Sequence, residues 1–109
     1  MDERKQALRK RATAFASAVV RFYISLDKSR EEIRVLGRQA LRSGTSVAAN
    51  YREAPRARSE AEFISKADQC VQEADETLLW LELLRDDCGL QTESLDWLLK
   101  EADELIATS

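Results

Sequence analysis

Histidine is absent from this chain of 109 residues, and its absence narrows the chemistry that the protein can perform. Zinc sites of the usual cysteine–histidine kind are not available. Ferritin-type di-iron bundles use Glu-x-x-His pairs, so that class is also disfavoured. Aromatic residues make up only 6% of the chain, so few aromatic side chains are available to line a cofactor pocket. We therefore expect no metal site, no cofactor and no small-molecule substrate.

Proline and glycine are also scarce, with one Pro and three Gly, and long apolar runs are missing. A sequence with few turn formers that is rich in Ala, Leu, Glu and Arg is typical of long helices. A membrane span needs about 20 predominantly apolar residues, and no stretch approaches that length. The run ATAFASAVV is too short for a signal or a span, and its helical spacing continues beyond Arg21. These features predict a soluble, cytoplasmic protein without membrane contact.

Only two cysteines are present, Cys70 and Cys88, and the sequence pattern puts both in one helix. In that helix they would lie about 27 Å apart. A disulfide needs α-carbons within about 7 Å, so the two cannot pair there. We expect both thiols to be free and buried, as in proteins of a reducing cytosol.

Apolar residues recur at helical spacing in four segments, and no strand pattern is found. The predicted helices span about residues 3–27, 30–54, 60–88 and 93–107. Their ends carry two capping boxes, a proline, a glycine and a threonine cap. In chain order these signals are residues 29–32, Pro55, residues 59–62, Gly89 and Thr92. Short connections favour antiparallel neighbours, so we predict an all-α, up-down-up-down four-helix bundle in a single domain over residues 1–109.

Small residues interrupt the second helix, where Ala or Leu would favour helix formation more. They are Ser43, Gly44, Thr45, Ser46, Ala48 and Ala49. Because Gly44 costs up to about 1 kcal/mol of helix propensity, we predict that the run serves close approach of neighbouring helices. Asn50 and Glu53 follow near the helix end. We expect them to fix the turn, with the Asn50 amide bonded to a main-chain group of the adjacent helix or loop.

Apolar residues outnumber the positions that a monomeric bundle would bury. Seven of them lie off the core-facing stripes: Val20, Ile24, Val35, Leu79, Trp80, Leu83 and Trp97. Large exposed apolar patches usually mark interfaces. We therefore predict a homo-oligomer that buries Leu79, Trp80, Leu83 and Trp97 between its subunits.

Charge is divided along the chain. Residues 1–58 hold 14 Lys and Arg against 6 Asp and Glu, whereas residues 59–109 hold 3 against 14. One interpretation is internal pairing: in an antiparallel hairpin, Arg38 and Arg42 come level with Glu76 and near Glu73. The other interpretation is a phosphate-binding surface formed by two basic clusters. Its candidate residues are Arg9, Lys10, Arg11, Arg52, Arg56 and Arg58.

The groups that could support catalysis do not converge. Glu73, Asp75 and Glu76 form an acidic cluster that could act as acid and base or bind a divalent cation. No histidine, glycine-rich loop or nucleophile with a base accompanies it, and Ser43 and Ser46 also lack a base. Salt bridges are the favoured role of the cluster. We expect a protein that is not an enzyme, and bound metal at Glu73 and Glu76 is the enzymatic alternative.

Three segments carry a family resemblance. The family typically shows R-S-x-S-I-x-x-N-x-x-E-A, then R-x-R-S-x-x-[DE]-F, then K-E-x-x-E-T-x-x-W-L-x-x-L. The corresponding residues here are Arg42, Ser43, Ser46, Asn50, Glu53 and Ala54; Arg56, Arg58, Ser59 and Phe63; and Glu73, Glu76, Thr77, Trp80, Leu81 and Leu84. The chain thereby resembles, over nearly its whole length, the bacterial four-helix-bundle family of 23S rRNA intervening-sequence proteins. Gln72 and Leu79 depart from the usual Lys and Tyr.

The resemblance implies an antiparallel bundle that assembles into a ring, usually a homopentamer. The family includes the accessory variability protein of diversity-generating retroelements, which binds a reverse transcriptase and its structured template RNA. That relative is strongly basic, whereas this chain has a net charge of −3. A ring would concentrate the arginine-rich parts on one face.

Two functions remain open on these grounds. The first is a ring-forming accessory protein that binds structured RNA or a reverse transcriptase through the basic residues. The second is a self-assembling structural module, in which the arginines form salt bridges and no nucleic acid binds.

Overall fold

Four helices make up the fold, and no strand is present among residues 3–108, the part of the chain that the computed structural model describes. The helices are α1 (Glu3–Ser25), α2 (Glu31–Glu53), α3 (Glu60–Asp86) and α4 (Glu93–Thr108). A short 3-10 helix, Ala54–Arg56, follows α2 directly. The predicted domain also included residues 1, 2 and 109, which lie outside the described residues. The prediction of an all-α four-helix bundle is confirmed.

The helices pack as an antiparallel bundle about 45 Å long and 20 Å wide. The largest contact joins α2 to α3, and α1 packs against both α2 and α4. The core consists of the apolar stripes, with residues such as Phe15, Val19, Ile33, Leu81 and Leu98 almost fully buried. Each stripe faces inward because its residues recur three and four positions apart.

The small residues of α2 allow one close helix contact. A Cβ added at Gly44 would lie 3.0 to 3.3 Å from three side-chain atoms of Val19 on α1. Val19 is fully buried, so it has little room to move. The predicted close approach is therefore found at Gly44, although Ala49 at the end of the run is exposed.

Three of the predicted helix ends form as expected. The Ser59 hydroxyl accepts a hydrogen bond from the Glu62 amide at 3.1 Å, and Thr92 accepts one from the Leu95 amide at 3.1 Å. Gly89 has a φ of +75°, a conformation that glycine adopts without steric cost. The chain turns there after α3.

The predicted capping box at residues 29–32 is wrong. The Ser29 hydroxyl donates instead to the Asp27 carboxylate at 2.6 Å, and the Ser29 amide donates to the same oxygen at 3.1 Å. These two bonds lower the pKa of Asp27. Arg30 then takes the N-cap position of α2 without a side-chain cap.

Both cysteines are free and buried, as predicted. They do not share a helix, however, because α3 ends at Asp86 and Cys88 lies in the following turn. Burial raises the pKa of the Cys70 thiol to about 12 and also raises that of Cys88. Within residues 3–108, no helix has both the length and the apolar composition that crossing a membrane requires.

Candidate functional site

Two basic clusters that are far apart in the sequence meet at one end of the bundle. The antiparallel arrangement brings together the start of α1, the end of α2, the start of α3 and the end of α4. We call this region the basic end and define it by seven residues: Arg4, Lys5, Arg9, Lys10, Arg52, Arg56 and Arg58. The sequence predicted that both clusters contribute to one phosphate-binding surface, and the bundle brings them to the same end.

One cavity of about 280 Å³ connects the two clusters directly. Arg9 and Lys10 of α1 line it from one side, and Arg52 of α2 lines it from the other. Gln6 and Thr13 complete the wall. Three of the six predicted nucleic-acid-binding residues thus surround a single concave surface.

Most cations of the basic end have no acidic partner in the part of the chain that the structure describes. Within residues 3–108, none of Arg9, Lys10, Arg52, Arg56 and Arg58 forms an ion pair. All of them are exposed except Arg9, which is half-buried. Five of the six predicted residues therefore offer their positive charge to solvent, where an anionic ligand can reach it.

Arg11 differs from the other five. Its guanidinium holds Glu101 of α4 through two hydrogen bonds, Nε to Oε2 at 2.6 Å and Nη2 to Oε1 at 2.9 Å. Glu104 lies 3.9 Å away. The hydrogen bond to Glu101 raises the pKa of Arg11. Arg11 thus joins α1 to α4, which the sequence could not show because it does not reveal which acids face α1.

The acidic cluster of α3 meets α2 through Arg42, as the pairing interpretation expected. Arg42 contacts Glu76, and its Nη1 lies 4.0 Å from Glu73 Oε2. Glu76 also accepts a hydrogen bond from the Trp80 indole at 3.1 Å. Arg38, the other expected partner, is exposed and forms no ion pair in the described part of the chain. No group of three metal-ligating side chains occurs among residues 3–108.

Glu73 carries a carboxylate oxygen with an unusual environment. Oε2 is buried and has no hydrogen-bond partner within the described residues. Arg42 at 4.0 Å is close enough for an ion pair but too far for a hydrogen bond. We assign Glu73 to the salt-bridge network because this cation is the charged group beside it.

Other residues of the resemblance form hydrogen bonds within α2 or between α2 and α3. Buried Ser43 lies 2.7 Å from the Thr77 hydroxyl, and Ser46 donates to the Arg42 main-chain oxygen at 2.9 Å. Glu53 accepts a hydrogen bond from Lys66 at 2.6 Å, which ties the end of α2 to α3. Ser43, Thr77 and Glu53 thereby help to join α2 to α3, whereas the Ser46 bond stays within α2.

Asn50 does not make the predicted side-chain bond. Its amide group has no hydrogen-bond partner within residues 3–108, although its main-chain oxygen accepts from the Ala54 amide. The side chain is half-buried. The turn after α2 is therefore fixed by Glu53 and the 3-10 helix rather than by the Asn50 amide.

The predicted interface residues separate into two pairs. Leu79 and Trp97 expose 46% and 48% of their surface, whereas Trp80 and Leu83 are half-buried. Trp80 also packs against the core. Trp97 lines a cavity of about 280 Å³ between α1 and α4. Leu79 and Trp97 therefore belong to the exposed apolar surface of the described chain. Trp80 instead helps to stabilise the fold through its contact with the core.

The sequence missed a second concave surface at the basic end. Two adjoining cavities of about 270 and 430 Å³, with a small one between them, share Lys5 and Phe63. We call this surface the end groove; its main lining residues are Arg4, Lys5, Tyr51, Pro55, Glu60 and Phe63. The Lys5 ammonium lies over the Phe63 ring, 4.2 Å from its centroid. Helical periodicity predicted that Phe63 is a core residue, so the sequence did not show that Phe63 lies beside the cations.

The geometry defines a class: a four-helix bundle with a cationic end and paired acidic and basic residues along its side. The 23S rRNA-intervening sequence protein family matches residues 4–108. The chain therefore belongs to that family, as the sequence resemblance predicted.

A solved structure supports the same assignment. The chain is similar to a protein of unknown function from the S23 ribosomal protein family of Bacteroides thetaiotaomicron VPI-5482. The two share 35% sequence identity over 93% of each chain, with a TM-score of 0.83. No functionally curated protein matches the chain.

Proposed function

We propose that this protein is a non-enzymatic accessory protein that assembles into a ring and binds structured RNA through the basic end. Its partner in that role is a ribonucleoprotein that contains a reverse transcriptase. The observation that carries the proposal is the set of unpaired cations: Arg9, Lys10, Arg52, Arg56 and Arg58 have no ion-pair partner within residues 3–108. Structural arginines elsewhere, such as Arg11 and Arg42, do have acidic partners.

The net charge of −3 is compatible with this function because the charge is unevenly distributed. The excess of acids belongs to residues 59–109, whereas the unpaired cations come from residues 1–58. A local cluster attracts phosphate within roughly one Debye length, about 8–10 Å at moderate salt. Assembly of several copies would multiply the cations on one face without requiring a basic protein overall.

The test is a titration of structured RNA at a series of salt concentrations. Each phosphate neutralised on a duplex lowers the log–log salt slope by roughly 0.9, so five cations would give a slope near −4 to −5. The double variant Arg56→Glu and Arg58→Glu should weaken binding strongly and flatten the slope. A matched control is Arg21→Glu with Arg38→Glu, since both residues are exposed and outside the basic end.

Binding that is absent at low salt would contradict the proposal. Equal weakening by the two double variants would also contradict it, because the effect would then reflect net charge alone. A partner reverse transcriptase is tested separately by co-purification with the wild-type chain and with the Arg56 and Arg58 double variant.

A second function, self-assembly without nucleic acid, is favoured by apolar side chains that stay exposed on all four helices. They are Val20, Ile24, Val35, Ile64, Leu79 and Trp97. If this alternative holds, the Arg56 and Arg58 double variant changes the mass of the assembly, and neither the wild type nor the variant binds RNA. Native mass measurement of the double variant, together with its RNA affinity, distinguishes the two functions, and a monomer at all concentrations would exclude the ring.

A further inference from the structure

The end groove combines an aromatic wall with positive charge from α1 and with two exposed arginines in the adjoining turn. Phe63 and Tyr51 supply the rings, and Pro55 adds a flat apolar surface. Arg4 and Lys5 line the groove from α1. Pro55 and Ala57 line it from the turn after α2, and the exposed residues Arg56 and Arg58 are their neighbours in the sequence. This arrangement suits a flat apolar group with negative charge beside it.

Phe63 is half-buried, and a movable side chain covers its ring. The Lys5 ammonium lies 4.2 Å from the ring centroid, within the distance of a cation–π contact. A lysine side chain is long and flexible, and its ammonium is strongly hydrated. A planar ligand can therefore replace Lys5 on the ring, while the displaced ammonium moves to a nearby anion.

We propose that the end groove binds one unpaired nucleobase of the RNA, stacked on Phe63 in the position that Lys5 occupies. The flanking phosphates contact Arg4 and Lys5 of α1 and Arg56 and Arg58 of the adjoining turn. This inference rests on the proposed function and adds a ligand feature to it: a base extruded from, or lying outside, a helical stem. Aromatic side chains beside basic residues are the usual means of holding single-stranded segments.

Glu60 favours a nucleobase over an acidic peptide as the occupant. Glu60 lines the groove beside Ser59, and its negative charge would repel an acidic side chain that entered there. The same carboxylate can accept a hydrogen bond from the exocyclic amino group of cytosine, adenine or guanine. A base with its phosphates held at the arginines avoids the repulsion that the peptide would meet.

The experiment compares single-stranded RNA with fully paired duplex RNA of the same length, by fluorescence anisotropy at low salt. Phe63→Leu keeps an apolar side chain but removes the ring, and Phe63→Trp keeps a ring. The matched control is Ile64→Leu, one residue further along α3, because Ile64 is 52% exposed and does not line the groove. Circular dichroism verifies that each variant is folded.

Phe63→Leu should weaken binding of the single strand about tenfold, which corresponds to the loss of one stacked base. Binding to the duplex and the salt slope should stay unchanged, because the phosphate contacts are intact. Phe63→Trp should restore single-strand binding, and Ile64→Leu should have no effect. An abasic nucleotide scanned along the strand should produce a comparable loss at one position.

Failure of this inference differs from failure of the proposed function. If wild type and Phe63→Leu bind the single strand equally, the nucleobase site is wrong while the basic end still binds RNA. If wild type binds neither RNA, both proposals are wrong. If an acidic peptide with one aromatic residue binds in a Phe63-dependent way and RNA binding is unaffected by Phe63→Leu, the groove is a protein-docking site and the nucleobase proposal is overturned.

Discussion

Ser43 of α2 and Thr77 of α3 place their hydroxyl oxygens 2.7 Å apart inside the bundle, where neither residue is exposed to solvent. Each hydroxyl also reaches a main-chain oxygen of its own helix: Ser43 that of Gln39 at 3.0 Å, and Thr77 that of Glu73 at 2.7 Å. The pair is therefore a buried polar link between α2 and α3, in addition to the ion pairs at the surface of the same contact. It fixes the register of α2 against α3, the two helices that share the largest contact.

Ser43→Ala and Thr77→Val should each lower the free energy of unfolding by about 1 kcal/mol, because each removes the buried hydrogen bond between the two hydroxyls. The double variant should lose less than the sum, by about 0.5–1.5 kcal/mol, since the second change removes a group that has already lost its partner. Urea denaturation of the four proteins measures this coupling. Strictly additive losses would show that the two hydroxyls do not interact.

Gly44→Ala should destabilise the protein by about 1–3 kcal/mol, although alanine is the better helix former. The added Cβ would lie 3.0 to 3.3 Å from Val19, which is buried and branched. In a Val19→Ala background the same change should instead be neutral or stabilising. Thermal or chemical denaturation checks both values.

Gly37→Ala is an informative comparison. Its added Cβ would meet Leu26 Cδ1 at 2.5 Å, but that atom is the end of a flexible, half-buried side chain. We expect a smaller loss than at Gly44 because Leu26 can change rotamer. A larger loss at Gly37 would contradict the assignment of rigidity to Val19.

Arg11→Gln should mainly lower stability, whereas Lys10→Gln should mainly lower RNA affinity. Arg11 holds Glu101 through two hydrogen bonds, so its loss should cost about 1 kcal/mol of unfolding free energy and leave RNA affinity nearly unchanged. Lys10 is exposed and unpaired within residues 3–108, so its loss should change stability by less than about 0.5 kcal/mol. It should lower RNA affinity. Reversed effects would place the phosphate contact at Arg11.

The Cys70 thiol should make stability depend on pH in alkaline solution. Its pKa is about 12 in the folded protein, against a usual value of roughly 8.5 in an unfolded chain. Because the folded pKa is the higher one, the contribution to stability is complete below about pH 8.5. It is lost progressively as the pH rises toward 12.

Denaturation midpoints at pH 8 and pH 10 should therefore diverge more in wild type than in Cys70→Ala. Other alkaline groups titrate in both proteins, so the difference between them isolates Cys70. A thiol reagent should label Cys70 only after denaturant is added. Equal pH dependence in the two proteins would contradict the shifted pKa.

Much of the fold followed from the period of the apolar residues alone. Phe15, Val19, Ile33 and Leu81 are buried because each stripe needs a partner surface, and four stripes with short connections have few ways to meet. Local signals at Ser59 and Thr92 were sufficient to cap their helices. Ser29 does not cap α2, because the Asp27 carboxylate, two residues earlier, is a competing acceptor for the serine hydroxyl.

The candidate site was less accessible to sequence reasoning because it depends on which helices are neighbours. Arg9 and Arg11 have the same sequence environment, yet only Arg11 faces the acids of α4. Phe63 follows the core stripe of α3, but it lies at the margin of the bundle, where α1 presents Lys5. Such relations arise from rotation of one helix against another, which a linear pattern does not specify.

The direction of the four helices has a practical consequence for handling the protein. Arg4, near the start of α1, and Thr108, at the end of α4, line the same cavity of the end groove. An affinity tag or fusion partner attached at either terminus would therefore crowd the surface under study, and a polyhistidine or acidic tag would add its own charge there. The turn between α3 and α4, residues 87–92, lies at the far end of the bundle. A label inserted in that turn would report on the protein from about the full 45 Å length of the molecule away.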